Sequence, residues 1–179
     1  MTDIRAASNT SNLRTVHVIQ GEYKVSDDPG IVLTTILGSC VATCLCDPVA
    51  RVGGINHFLL PSGDHSGGAQ GYRYGLLAME LLINGLLKMG ASKSRLEAKL
   101  FGGGMMNNNL ARIGDANAAF ALDFLKSENI RCLSQSLGGT QARRIRYVPT
   151  TGSAQQMMLS DHVEAPPPAP KPADDVTLF

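Results

Sequence analysis

Apolar positions recur along this chain with two different periods, and those periods divide it into elements. From Thr15 onward Val16, Val18 and Val25 sit among polar neighbours in short strand-like runs. Asp28-Pro29-Gly30 marks a turn. Residues 31–37 are β-branched and apolar and read as a strand, which Gly38-Ser39 interrupts. Residues 41–46 form a second apolar run, Asp47-Pro48 starts a turn, and residues 52–60 continue as a third strand ended by Pro61. Residues 62–71 read as a Gly/Ser/His loop. The period then changes: Leu76, Met79, Leu82, Ile83, Leu86 and Met89 fall three and four apart, which predicts a helix over 72–89 stopped by Gly90. Residues 96–101 alternate apolar positions with Glu97 and Lys99, a half-buried strand. Three glycines at 102–104 break the chain into a loop. Asp115 can cap a second helix running to about residue 128, with Ala119, Leu122 and Leu125 inward. Residues 130–137 and 142–148 read as two strands joined by a Gly138-Gly139 turn. The sum is an α+β domain of about eight or nine strands and two helices.

Both ends depart from this pattern. Residues 1–14 are rich in Thr, Ser and Asn and read as a flexible N-terminus. Five prolines within 165–172 make an extended linker, so a single domain is expected over 15–153 and a Pro-rich flexible tail over 154–179. The tail ends in Asp174-Asp175-Val176-Thr177-Leu178-Phe179, a peptide that could tether the protein to a partner. Of the 179 residues, 44% are apolar and 5% aromatic, with no Trp, so the core must be aliphatic. A chain of this length buries about 70% of its unfolded surface and needs neither disulfides nor a metal to fold. Net charge is +1, which gives no basic footprint for nucleic acid. The one basic cluster is Arg143, Arg144 and Arg146; on a strand Arg144 and Arg146 share a face, read as solvated, and Arg143 takes the other. No run approaches the length needed to span a bilayer, and the first residues carry no apolar signal core. A cytosolic protein with reduced thiols is expected, without membrane insertion. Cys44 and Cys46, two apart in an apolar run, read as buried small hydrophobes.

Candidate chemistry centres on Gly38-Ser39-Cys40 between two strands. Glycine permits a tight turn and close approach of a substrate, and amides at such a turn can point at a developing oxyanion. If Pro48-Val49 is the hairpin loop, Cys40 lies directly opposite His57. If the loop extends two residues further, to residue 51, the two become diagonal neighbours on one face; a one-residue slip would separate them. A neutral thiol is a weak nucleophile, and an adjacent imidazole can depress its pKa by ion pairing and later protonate a departing amine. Thr34 and Thr35 on the preceding strand are candidates to orient that imidazole, whereas Asp47 is too far along the hairpin. Against this stand a core-filling Cys40 and a satisfied, half-buried His57. A metal site of Cys40, Cys44, Cys46 and His57 lacks zinc-ligand spacing. The glycine stretch from Phe101 to Met105 lacks the Gly-Lys-Ser/Thr ending of a phosphate loop and reads as a backbone turn near the site.

Leu37-Gly38-Ser39-Cys40, residues 53–61 (Gly-Gly-Ile-Asn-His-Phe-Leu-Leu-Pro) and residues 99–103 (Lys-Leu-Phe-Gly-Gly) resemble the chemoreceptor glutamine deamidase family CheD. Arg73-Tyr74, Ile113-Gly114 with Asn117, and Gly138-Gly139-Thr140 with Arg144 extend the resemblance over about residues 15–153. It implies a fold similar to cytotoxic-necrotizing-factor-type cysteine hydrolases: packed mixed β-sheets, sandwich-like, with two to three helices outside. It implies a cysteine amidohydrolase that converts glutamines of methyl-accepting chemotaxis receptors to glutamate, with no cofactor and no metal. Cys40 would be nucleophile, His57 base, and Thr34, six residues before the cysteine, the third catalytic residue, with Thr35 beside it as a rival. Gly38, Ser39, Asn56, Phe101, Gly102 and Gly103 would contact substrate. Some members also bind a CheC-type phosphatase. A catalytically idle member regulating such a phosphatase, and a receptor methylester hydrolase, are the alternative readings. Met105 to Asn109 is a polar elaboration of the family's loop, and the Pro-rich tail lies outside its core.

Overall fold

The computed structural model of the chain describes residues 13–60, 67–106 and 111–160. Expectations for the N-terminal segment before residue 13, the loop at 61–66, the asparagines at 107–109 and the tail beyond 160 fall outside them. The strands are β1 (Arg14–His17), β2 (Tyr23–Ser26), β3 (Ile31–Leu37), β4 (Val41–Asp47), β5 (Val52–Asn56), β6 (Glu97–Gly102), β7 (Arg131–Leu137), β8 (Arg143–Val148) and β9 (Ser153–Met158). The helices are α1 (Gly67–Lys88) and α2 (Ala111–Ser127), with a short 3-10 turn at Lys93–Arg95. Two mixed sheets form, ordered β1-β3-β8-β9 and β2-β5-β4-β6-β7. Strands β1 and β3 pair parallel, as do β6 and β7; the other pairings are antiparallel.

Three layers follow from side-chain alternation. From β4, Val41 and Leu45 point to the helices and pack with Met79, Leu82, Leu86, Phe120 and Leu125. Ala42 and Cys44 point the other way, into a second core with Leu33, Leu37, Ile145 and Tyr147 of the four-stranded sheet. All seven residues of β4 are buried, which explains its unbroken apolar run: a strand covered on both faces needs no polar side. Each of the larger aliphatic side chains contributes about 1.5–3 kcal/mol by leaving water. The two-sheet, two-helix α+β expectation therefore matches, and Cys44 and Cys46 are buried as expected.

The boundaries differ where the pattern is silent. Helix α1 begins five residues before Tyr72, because its first turns are small and polar; it ends as expected, with Gly90 at φ 93° and the Ala91 amide bonded to the Leu86 carbonyl. Helix α2 starts at Ala111, ahead of Asp115. The third strand stops at Asn56, although Phe58 still bridges to Val41. The domain does not end at residue 153. Residues 153–158 form β9, paired along its whole length with β8. That strand is a mostly exposed edge, so it carries no apolar alternation to reveal it.

Asp47 closes the β4–β5 hairpin. Its carboxylate accepts from the amides of Val49, Ala50 and Ser92 and from Arg95, whose Nη2 lies 2.8 Å away. Burial alone would raise its pKa, but Arg95 and these amides hold it well below the usual carboxylate range. On β8, Arg144 and Arg146 face outward and are exposed as expected, while Arg143 is buried.

Candidate active site

The β4–β5 loop spans four residues, 48–51, between the paired Asp47 and Val52. Cys44 pairs with Ile55 and Val41 with Phe58, so the longer-loop register holds, and Cys40 and His57 are diagonal neighbours rather than directly opposed. Both lie on the face turned toward the four-stranded sheet, where Cys40 packs against the core that contains Ala42, Cys44 and Ile55.

His57 is held by backbone and side chain together. Its amide donates to the Glu22 carbonyl at 3.0 Å, and its carbonyl accepts from the Gly21 amide at 2.7 Å. Its Nδ1 lies 2.8 Å from the Thr35 hydroxyl, which itself donates to the Val18 carbonyl at 2.7 Å. A hydroxyl has one proton. Given to Val18, it leaves the Thr35 oxygen to accept from Nδ1–H. Nδ1 therefore carries the ring proton, and Nε2 carries the lone pair. Nε2 is buried and has no hydrogen-bond partner among the described residues. Burial lowers the His57 pKa, and the Val18 carbonyl beside the ring works the other way.

Thr35, not Thr34, reaches the imidazole. On β3 the odd positions Leu33 and Leu37 face the other sheet, so Thr35 does too. Thr34 faces away and its hydroxyl donates to the Ile145 carbonyl at 2.7 Å. Both faces of this strand are apolar enough that local pattern does not separate the two threonines.

The Cys40 thiol is half-buried and donates to the Gln20 carboxamide oxygen at 3.5 Å. Burial raises its pKa, and its own backbone amide, close to the sulfur, lowers it. Burial thus works against the charged form of each group, and among the described residues the thiol bonds to Gln20 and not to His57 Nε2.

The turn carrying Cys40 is pinned by three successive carbonyls. Gly38 O accepts from the Gly104 amide, Ser39 O from Asn117 Nδ2 and Cys40 O from the Gly103 amide, each at 2.8 Å. The amides of Ser39 and Cys40 have no backbone partner among the described residues, which leaves them available to a developing oxyanion. Gly102 sits at φ 112°, and a Cβ there would lie 2.1 Å from the Cys40 carbonyl oxygen. Gly102 and Gly103 thus bear on the site through backbone. Phe101 is buried in the core between the sheets, so it backs the site and does not face a substrate. Asn56 is a further correction. It points to the opposite face from His57, accepting from the Thr43 amide and donating to the Ala78 carbonyl of α1. Adjacent strand positions cannot share a face.

Two contributors had no sequence signal of their own. Val18 acts through its carbonyl, which any residue supplies. Gln20 lies in a polar turn. Asn117, one of the residues that carry the family resemblance, is fully buried, and its side-chain oxygen accepts from the Leu60 amide at 2.8 Å while its nitrogen holds Ser39. Among the described residues no group of three or more His, Cys, Asp or Glu is arranged to hold a metal ion. No helix of the described residues is long and apolar enough to cross a membrane.

Comparison with known proteins agrees with the motifs. A family model described as "CheD chemotactic sensory transduction" matches residues 59–157. A Cereibacter sphaeroides protein named "Probable chemoreceptor glutamine deamidase CheD" is 53% identical over an alignment covering 100% of this chain and 92% of its own. Proteins of the same name from Agrobacterium fabrum and Rhizobium meliloti are each 52% identical, covering 92% and 93% of this chain and 96% of theirs. Among solved structures, the Bacillus licheniformis hypothetical protein YfiH superposes with a TM-score of 0.43 at 15% identity, over 64% of this chain and 49% of its own, a likeness too slight to bear on function. The family match and the near full-length identities place the chain in the CheD family.

Proposed function

We propose that this chain is a glutamine deamidase of chemoreceptors, with Cys40 as nucleophile, His57 as proton carrier and Thr35 as the group that orients His57. The names of its relatives supply the substrate class. The observation that carries the mechanism is the Val18–Thr35–His57 chain, which leaves a buried Nε2 lone pair on the face that also carries Cys40.

The steps balance on these residues. Cys40 Sγ attacks the side-chain carbonyl carbon of a glutamine as its proton passes to His57 Nε2. The tetrahedral oxyanion lies against the amides of the Ser39–Cys40 turn. The carbon–nitrogen bond then breaks, His57 returns the proton to the nitrogen, and ammonia leaves. Water attacks the thioester with His57 again as base, releasing glutamate and the Cys40 thiol. An amide nitrogen leaves poorly unless protonated, so the neutral resting imidazole must become charged during attack. Thr35 favours that state by accepting from Nδ1–H.

The test is to incubate the full chain with receptor cytoplasmic fragments, then measure ammonia and map receptor peptides by mass. Ammonia matched by exchange of NH2 for OH at particular glutamines supports the reading. Methanol from methylated fragments without ammonia would replace it with ester hydrolysis.

A further inference from the structure

Arg143 stands on β8 at a position that alternation turns toward the core. It pairs in register with Leu37, the residue that leads into the Gly38–Cys40 turn. It is 1% exposed, yet the salt bridges of the described residues include none to it. A buried cation without a carboxylate is costly, and an aliphatic residue would satisfy the core more cheaply. Its partners explain the exception. Nη1 donates to the Ser136 carbonyl at 2.6 Å and to the Ser136 hydroxyl at 3.2 Å, and Nη2 donates to the Gly138 carbonyl. Its Nε is buried with no partner among the described residues.

Those contacts lead to the nucleophile. The Gly138 amide, one end of the peptide unit beside the carbonyl that Arg143 holds, donates to Gly102 O at 2.9 Å. The Gly139 carbonyl accepts from the Met105 amide at 2.7 Å. From that same glycine-rich loop, the Gly103 and Gly104 amides hold the Cys40 and Gly38 carbonyls. Arg143 Nη2 also lies 3.6 Å from where a Gly104 Cβ would stand, and that point is 3.1 Å from the Gly38 carbonyl. The guanidinium thus sits beneath the meeting of two loops whose backbone bonds fix the Cys40 peptide.

We propose that Arg143 is a positioning residue for the reaction: by holding the 136–139 segment under residues 102–105, it fixes the carbonyls of Gly38 and Cys40 on either side of the nucleophile and so aims the Ser39 amide, which shares a peptide plane with the Gly38 carbonyl, at the oxyanion. The proposal rests on the reading of Cys40 as nucleophile. It requires the planar fork, which can bind two loop carbonyls at once; a lysine keeps the charge but not that geometry.

The experiment compares wild type, Arg143→Lys and Arg143→Met in the full chain. It records kcat and KM for ammonia release from a receptor fragment, the rate of Cys40 alkylation by iodoacetamide, and the folded fraction by circular dichroism. Alkylation has no tetrahedral intermediate, so it does not need the aimed amide. For Arg143→Met at a temperature where it is folded, kcat should fall about a hundredfold, the scale of a small misplacement, with KM and alkylation nearly unchanged. Arg143→Lys should fall between it and wild type. Wild-type kcat in folded Arg143→Met would overturn the proposal, as would kcat and alkylation falling together with the folded fraction. If Arg143→Met does not fold, Arg143→Lys decides: a lower kcat with normal alkylation supports the proposal, and an unchanged kcat overturns it. A wild-type chain that alkylates at Cys40 yet releases no ammonia would instead refute the deamidase reading.

Discussion

Replacing Thr35 with valine keeps the shape of the side chain and removes its hydroxyl. Two bonds disappear, to the Val18 carbonyl at 2.7 Å and from His57 Nδ1 at 2.8 Å. Each is worth about 1 kcal/mol net, and a buried donor or acceptor left without a partner costs about 1–3 kcal/mol. Both orphaned groups lie in a buried setting, so Thr35→Val should lose about 2–4 kcal/mol of stability. The catalytic loss has a different origin. Without Thr35 the ring is no longer biased toward the tautomer that leaves Nε2 free. Losing about 2 kcal/mol of that bias at the transition state is about thirtyfold in kcat. Thr34→Val is the matched control, since it removes one bond, to Ile145, on the far side of β3. It should cost about 1 kcal/mol of stability and leave kcat within about twofold. Thr35→Ser keeps the hydroxyl and should restore activity. The assay is ammonia release from a receptor fragment, with thermal melts run alongside. A folded Thr34→Val that loses activity while Thr35→Val keeps it would refute the placement of Thr35 at the imidazole.

Other consequences follow from the same geometry. Burial lowers the His57 pKa and raises that of the Cys40 thiol, so kcat/KM should rise with pH on an acid limb below the ordinary imidazole range, stay level, and change again only above the ordinary thiol range; a single rise centred between those ranges would show a different pairing. Gly102→Ala would push a Cβ against the Cys40 carbonyl from a φ that disfavours side chains, so it should abolish activity and lower the melting temperature more than Gly90→Ala, where nothing lies within 4 Å. Asn117→Asp keeps an acceptor for the Leu60 amide but loses the donor to Ser39; kcat for ammonia release should fall about tenfold with KM nearly unchanged, and equal kcat would show that Ser39 is fixed without it.

Much of this architecture is legible in the sequence because burial leaves a period. The inner face of α1 reads directly from Met79, Leu82 and Leu86, and the turn at Gly38-Ser39 separates two strands that form as expected. The pairing of Cys40 with His57 was narrowed to two registers by hairpin geometry, and Asp47 decides between them. Its carboxylate caps the amides of Val49 and Ala50, which favours a four-residue loop. What stayed hidden shares a cause: contacts between distant segments. Thr34 and Thr35 differ only in which sheet face they meet, and that depends on a β3–β8 register set more than a hundred residues apart. Asn56 precedes a catalytic candidate, yet alternation sends it to α1. β9 carries no hydrophobic period because one partner strand and the solvent surround it.

The central claim is that the Cys40 sulfur forms the bond that replaces ammonia. Peptide mass mapping of a receptor fragment after incubation with wild type, Cys40→Ser and Cys40→Ala tests it most directly. Wild type should convert glutamines to glutamates with matching ammonia, and both variants, folded by circular dichroism, should leave them intact. A folded Cys40→Ala chain converting the same glutamines at the wild-type rate would contradict the account.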